Sequence, residues 1–356
     1  QFFAIDDAFV DSSGSGGSII DVDNNGSNDY YLVQPINTGN FSMSFLTFNT
    51  AFLGDDDIDR SSKVFDNFLK ERKAISNRLG KENKNSTTTT STGFNDGYGE
   101  TSQDVLIPAF IAAYSGKSGE KVSLKNFRNF IPLPNWRVTY DGLSKLAIIN
   151  RAFKKFTLTH GYKSTLNYGS FTTNLLHEKD ISGDAFSRDL TNNFVPELSI
   201  ATVSMTEQFS PLLGVDMTLN NNMLLRVEFK KNRNASLSMS NNQITEIKGN
   251  EWSVGTGYKF RQVRLPIAKA AADIDTRIDV GVRDNNTVVR RIVENVTQLT
   301  TGQRVLSVKL TADYRVSSSL NLRAFYDFIS TKPFVSNTFP TTNTNVGISI
   351  RFTFSQ

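Results

Sequence analysis

Nine residues near the N-terminus space hard oxygen donors as a cation-binding loop would. Asp21-Val-Asp23-Asn-Asn25-Gly26-Ser-Asn-Asp29 matches a Ca²⁺ loop at ligand positions 1, 3, 5 and 9, with glycine at position 6. Close-set carboxylate and amide oxygens around a turn that needs positive φ are what a hard cation requires. The twelfth position, however, is Leu32 rather than a bidentate glutamate, and no flanking helices are evident. Asp21, Asp23, Asn25 and Asp29 therefore read either as a calcium site or as an Asx-rich surface turn. Calcium is the one cofactor the sequence suggests, and nothing in it requires one.

Other reactive groups are sparse. His160 and His177 are the only histidines and there is no cysteine, so a transition-metal site and thiol chemistry lack their ligands. His160 falls on the apolar side of an alternating segment, and His177 sits beside a turn. No nucleophile elbow, phosphate loop or dinucleotide fingerprint occurs, and Gly14-Ser-Gly16-Gly17 reads as a flexible turn. The expectation is a protein that is not an enzyme. A net charge of +4, dispersed along 356 residues, gives no basis for nucleic-acid binding.

The elements that would position such groups are mostly strands. The longest apolar run, Val105 to Tyr114, is well short of the ~20 residues of a spanning helix, and Pro108 interrupts it. The N-terminus lacks a basic region and an apolar stretch, so no signal peptide is recognisable, and the chain reads as mature or as a fragment of a longer polypeptide. Residues 1–40 are rich in Asp, Asn and Gly and read as irregular. Phe41 to Phe52 alternates with one phase change, predicting a strand over 41–54. Asp55, Asp56 and Asp57 offer N-caps for a helix within 55–80, whose apolar face carries Val64, Phe65, Phe68, Leu69, Ile75 and Leu79. Its charged face (Lys63, Lys70, Arg72, Lys73, Arg78) reads as solvated. Polar residues 81–100 predict a flexible loop, and 101–134, with its prolines and glycines, irregular inserts.

From residue 135 to 356 the period becomes two. Phe156, Leu158, His160, Tyr162, Ser164, Leu166 and Tyr168 share one face of a segment. Ile274, Ile278, Val280 and Val282 oppose Asp275, Arg277, Asp279 and Gly281. Leu306 to Val316, Leu320 to Phe328 and Val346 to Phe354 repeat the pattern. Roughly a dozen strands are expected. In the longest hairpin, pairing Ser240 with Gln243 around Asn241-Asn242 sets Leu225 opposite Tyr258, Phe229 opposite Val254 and Met239 opposite Ile244. Its arms, at ~3.3 Å per residue, exceed the ~9–11 residues a bilayer-crossing strand needs.

Alternation of this kind also suits a soluble sandwich. Three features favour a membrane barrel instead. Charges of both signs recur on the non-apolar face of successive strands (Arg277, Asp279, Lys309, Asp313, Arg323, Asp327, Arg351), as a hydrated interior tolerates. Aromatic residues gather near strand ends (Tyr314, Tyr326, Phe328, Phe352, Phe354), where headgroups would lie. The chain closes on an aromatic-rich strand, although Ser355 and Gln356 follow Phe354. Mean hydropathy, −0.31, is compatible, because half of every barrel strand faces water. With the C-terminus periplasmic, loop 331–344 would be extracellular, and the Ser317–Ser319 turn and Asn241-Asn242 periplasmic.

Five stretches carry a resemblance to a known family: PLPNWRVTYDGLSKL (132–146), FTLTHGYKSTLNYGSFTTNL (156–175), EQFSPLLGVDMTLNNNM (207–223), SLSMSNNQITEIKGNEWSVGTGYKF (236–260) and KPFVSNTFPTTNTNVGISIRFTFSQ (332–356). In this order they resemble the C-terminal region of the SprA/Sov outer-membrane translocon of the type 9 secretion system of Bacteroidota. That resemblance implies an all-β chain forming an arc of a very large antiparallel transmembrane β-barrel, with one helix and irregular insertions near the N-terminus. It implies a pore passing folded cargo proteins. The partners implied are the remainder of the large translocon polypeptide, a PorV-type shuttle barrel at a lateral opening, a periplasmic plug protein, the secreted cargo and outer-membrane lipid, with no nucleic acid. The alternatives are a TonB-dependent-receptor-like or porin-like barrel and a surface β-rich adhesin.

Overall fold

The computed structural model describes residues 36–54, 60–124, 131–264, 271–317, 319–335 and 338–354. Asp21, Asp23, Asn25 and Asp29 lie outside these residues, as do the proposed caps Asp55 to Asp57. The protein is mostly antiparallel sheet, 56% strand. Among the described residues ten strands form one sheet: β1 (Thr38–Ser44), β2 (Trp136–Tyr140), β3 (Phe153–Thr173), β4 (Leu198–Leu219), β5 (Leu224–Ser238), β6 (Gln243–Val263), β7 (Ala272–Arg291), β8 (Val296–Arg315), β9 (Leu320–Pro333) and β10 (Thr341–Phe352). From β3 to β10 each strand pairs with the next in sequence, while β1 and β2 share the other edge of β3, one pairing Thr165–Thr172 and the other Leu158–Tyr162. Among the described residues no helix is long and apolar enough to cross a membrane.

The fold departs from the sequence reading in several places. Nine strands, not a dozen, follow residue 135 among the described residues. The first strand is shorter and earlier than 41–54, and a single 3₁₀ turn at Phe48–Thr50 follows it. The hairpin register is tighter by two: Leu225 faces Thr256, Phe229 faces Trp252 and Leu237 faces Ile244, with the turn spanning 239–242. A shift of two keeps every side chain on its expected face. The connection between β9 and β10 is 334–340, not 331–344. Because strands alternate in direction, Asn241-Asn242 lies at the same end of the sheet as that connection and opposite the Ser317–Ser319 turn, reversing the expected side.

Among the described residues two helices of more than ten residues are present rather than one, besides a four-residue helical turn at Ala147–Asn150. α1 (Lys63–Glu82) begins at Ser62, with Asp66 in its first turn, and buries Val64, Phe65, Phe68 and Ile75. Arg72, expected in water, is buried: it donates to the Glu100 carbonyl (3.1 Å) and lies over the Phe68 and Phe94 rings. α2 (Gln103–Ser115) occupies what read as irregular inserts, and all of Val105 to Ser115 is buried. Pro108 removes one backbone donor near its start, and a helix apolar on every side survives when it is enclosed on every side. It ends at Gly116, whose φ of 70° favours glycine and whose N–H returns to Ala112 and Ala113. The two helices pack on each other and on one end of β1, β3, β4, β5 and β6, forming a core with Met43, Leu166, Val203, Met205, Leu237 and Ile244.

Candidate functional site

Strand register sets side chains at equal heights across the sheet, and on one face the heights sort by chemistry. One row reads Leu158, Val215, Val227, Val254, Val280, Val308 and Phe328, seven apolar residues on seven consecutive strands. A row away lie Met217, Leu225, Ile278, Leu310, Tyr326 and Val346, with Phe156 at the β3 end and Thr256 the polar exception. On the other side lie Leu213, Phe229, Trp252, Val282 and Leu306. On β7 this belt runs from Ile274 to Val282, about 27 Å along the strand at ~3.4 Å per step. Much of it is open: Trp252 is 53% exposed, Val254 43%, Ile278 39% and Ile348 75%. A contiguous exposed apolar surface of this kind marks an interface with something other than water.

The belt stops abruptly. The next row on the same face reads Lys231, Asn250, Asp284, Arg304 and Lys332. Beyond it, still on that face, lies the seat of the helices, which holds buried charge. Arg233 and Glu207 pair at 3.1 Å, both nearly enclosed. Glu207 accepts from Thr47 (2.7 Å) and Tyr162 (2.9 Å), while Arg233 donates to the Thr50 carbonyl (3.0 Å) and hydroxyl (2.8 Å). Glu246 accepts from Arg290 (3.3 Å) and from the Tyr114 hydroxyl of α2, with the Lys248 ammonium 2.8 Å away. Burial and the Glu246 charge raise the Tyr114 hydroxyl well above the ordinary phenol range. Each carboxylate thus has a cation and hydroxyl donors, the condition for burying charge at tolerable cost. These contacts join β3 to β7 with the 47–50 turn and α2.

The opposite face of the belt strands carries ion pairs on strand after strand, among small and polar residues and a few apolar ones such as Phe325 and Ile329. Arg226 pairs with Asp216 (2.6 Å), Lys230 with Glu251 (3.6 Å), Arg277 with Asp279 (2.8 Å) and Arg323 with Asp313 (2.7 Å). A hollow of about 600 Å³ opens on this side, lined by Lys259, Asp275, Arg277, Lys309 and Asp327 among others. These pairs are solvent-exposed, and each is worth a fraction of a kcal/mol at most. Their consequence is a wetted surface with both signs interleaved.

The two histidines are not brought together. His160 Nδ1 meets the Leu212 carbonyl (2.6 Å) and His177 Nδ1 the Val195 carbonyl (2.6 Å). Among the described residues no group of three His, Cys, Asp or Glu is placed to hold a metal.

One assembly had no counterpart in the sequence reading. The 81–100 stretch and the β3–β4 connection (174–197) dock into one unit through three five-residue turns of the same kind. In Thr90–Phe94, Asp180–Asp184 and Asp189–Asn193, the fourth residue has positive φ (Gly93 84°, Gly183 86°, Asn192 64°) and returns its N–H to the first carbonyl. Asp180 and Asp189 each accept backbone N–H bonds two and four residues on. Arg188 grips Asp96 with both nitrogens (2.8 and 2.7 Å), Asn85 donates to Asp180 (2.8 Å), and Phe94, Tyr98 and Phe194 are buried between the loops. Gly97 is needed here: its φ is +77°, and a Cβ would fall 2.2 Å from the Phe194 ring. The repeated Asp-x-Ser/Thr-Gly/Asn spacing at 180–183 and 189–192 is the signal that could have found it.

Set against known proteins, the chain matches no protein-family model and no curated protein.

Proposed function

We propose that this sheet is part of the wall of a large outer-membrane β-barrel, with the belt against lipid and the charged face against a hydrated passage. The belt is the observation that carries the reading. It is nine residues tall on β7, within the ~9–11 residues of a tilted membrane strand and close to the ~25 Å apolar band of outer-membrane barrels. Aromatic residues stand at its margins, Phe260, Tyr314 and Phe352 at one and Phe229 and Trp252 at the other. A soluble sandwich would cover such rows with a second sheet; among the described residues it is the far end of the face that is covered, by the helices.

Within that class, the five sequence segments that resemble the SprA/Sov translocon support a protein-conducting channel for folded cargo in type 9 secretion. The remainder of the large translocon polypeptide would complete the wall. A PorV-type shuttle barrel, a periplasmic plug protein and the cargo would be its partners. The test is conductance of the intact protein in planar bilayers after removal of any plug. A translocon passes solutes of protein size; a receptor-like or porin-like barrel admits only small ones. Release of the intact protein from envelopes by carbonate without detergent would defeat the membrane reading altogether.

A further inference from the structure

The three-turn unit presents apolar side chains that are largely or wholly exposed among the described residues. Ile181 and Leu190 occupy the same position, the second, in two of the equivalent turns, and both are fully exposed (107% and 106%). Phe186, between the two turns, is 60% exposed, and Leu176, at their base, 73%. Turn tips ordinarily carry small or polar residues, and the third turn does: its second position is Ser91. The turns beneath are fixed by Asp180 and Asp189, by the Arg188–Asp96 fork and by the buried Phe194. Held on such a base, the tips lose little conformational freedom on binding, which favours affinity.

We propose that this unit is a docking surface for a protein partner with apolar pockets set in a basic rim. Charge defines the rim: Glu178, Asp180, Asp184 and Asp189 border the tips, against Lys179 and the neighbouring Lys84, since Arg188 is committed to Asp96. Lipid is disfavoured by distance. β3 leaves the belt near His160 and reaches the unit after Thr173, about 40 Å further along the strand at ~3.3 Å per residue. That exclusion alone rests on the membrane reading.

The experiment places a photo-crosslinking amino acid at Ile181, Leu190 or Ser91 of the intact protein in its own envelope. The expected result is one and the same polypeptide attached from 181 and 190 and none from 91. Titrated against the intact protein in detergent, that purified polypeptide should bind about tenfold more weakly for each of Ile181→Ser and Leu190→Ser, as loss of a buried aliphatic side chain implies. Its binding should also weaken with added salt. Absence of adducts, adducts to lipid or to a second copy of this chain, or affinity unchanged in the double variant would overturn the proposal. Both side chains are exposed, so an unchanged unfolding midpoint should accompany the loss. Carbonate extraction of the same envelopes reports separately on the membrane reading.

Discussion

An arginine carried through the belt at three depths distinguishes lipid from water as its solvent. On β7, Ile274, Ile278 and Val282 share one face, with Ile278 at the centre and the other two at the margins. In a bilayer an arginine costs about 2–4 kcal/mol at the midplane and about 0–1 kcal/mol near the interfaces. Ile278→Arg should therefore lower the folding equilibrium constant by roughly 30- to 900-fold, and Ile274→Arg or Val282→Arg by less than about sixfold. Were the face in water, Ile278, already 39% exposed, would accept arginine within about 0.5 kcal/mol. The loss of a β-branched side chain from a strand affects all three positions alike and cancels in the comparison. The assay is guanidinium unfolding of the intact protein in lipid vesicles, followed by tryptophan fluorescence. A flat profile across the three depths, or a central variant no worse than the marginal ones, refutes lipid contact.

Two further outcomes concern the seat of the helices. Arg233→Met should cost about 3–5 kcal/mol, because it leaves Glu207 charged and enclosed without its cation; adding Glu207→Gln should recover most of the loss, read by denaturant unfolding. Asp104, in the first turn of α2, has its carboxyl pushed up to about 6 by burial, with Glu197 adding to the rise and His177 opposing it. The folded state thus holds this proton more tightly than the unfolded chain, so the stability it contributes is full below about pH 4 and is lost as pH rises through about 6. Asp104→Asn should abolish that dependence and raise stability at pH 8 by about 1–3 kcal/mol relative to the parent, measured as unfolding midpoints from pH 4 to 8.

The strands were legible because their physics is local. Period-two alternation on β3, β7, β8, β9 and β10 fixes which side chains share a face, and an error of two residues in the β5–β6 register left that assignment intact. The helices were legible only in part. α1 shows its apolar stripe, and Arg72, four residues after Phe68 and three before Ile75, falls on that stripe by helical spacing and is buried with it, its guanidinium held by the Glu100 carbonyl; residue type alone had placed it in water. α2 has no stripe to read, being apolar all round, and Pro108 argues locally against a helix that only enclosure sustains. The three five-residue turns were not legible because their spacing becomes meaningful only when distant loops meet, Asp96 with Arg188 and Asn85 with Asp180.

Alternation is also silent about which medium a face meets, and here β5 is instructive. Its odd positions run Leu225, Val227, Phe229, Lys231, Arg233, Ala235, Leu237 along one unbroken face. The first three are in the belt, and the last three lie beneath the helices, where Ala235 and Leu237 are buried by protein. Lys231 lies between, with its ammonium 5.0 Å from the Phe52 ring and no ion pair among the described residues. Its neighbours at the same height, Asn250, Asp284, Arg304 and Lys332, are polar on every strand from β6 to β9. A core continuous from end to end would have no reason to admit such a row, since each member would need burial with a partner. A face that passes from hydrocarbon to water before entering a protein interior requires one. On the proposed lipid-facing reading, the polar row marks the boundary between two apolar environments, and its height above Ile278 is what the arginine series would measure as the depth at which the penalty disappears.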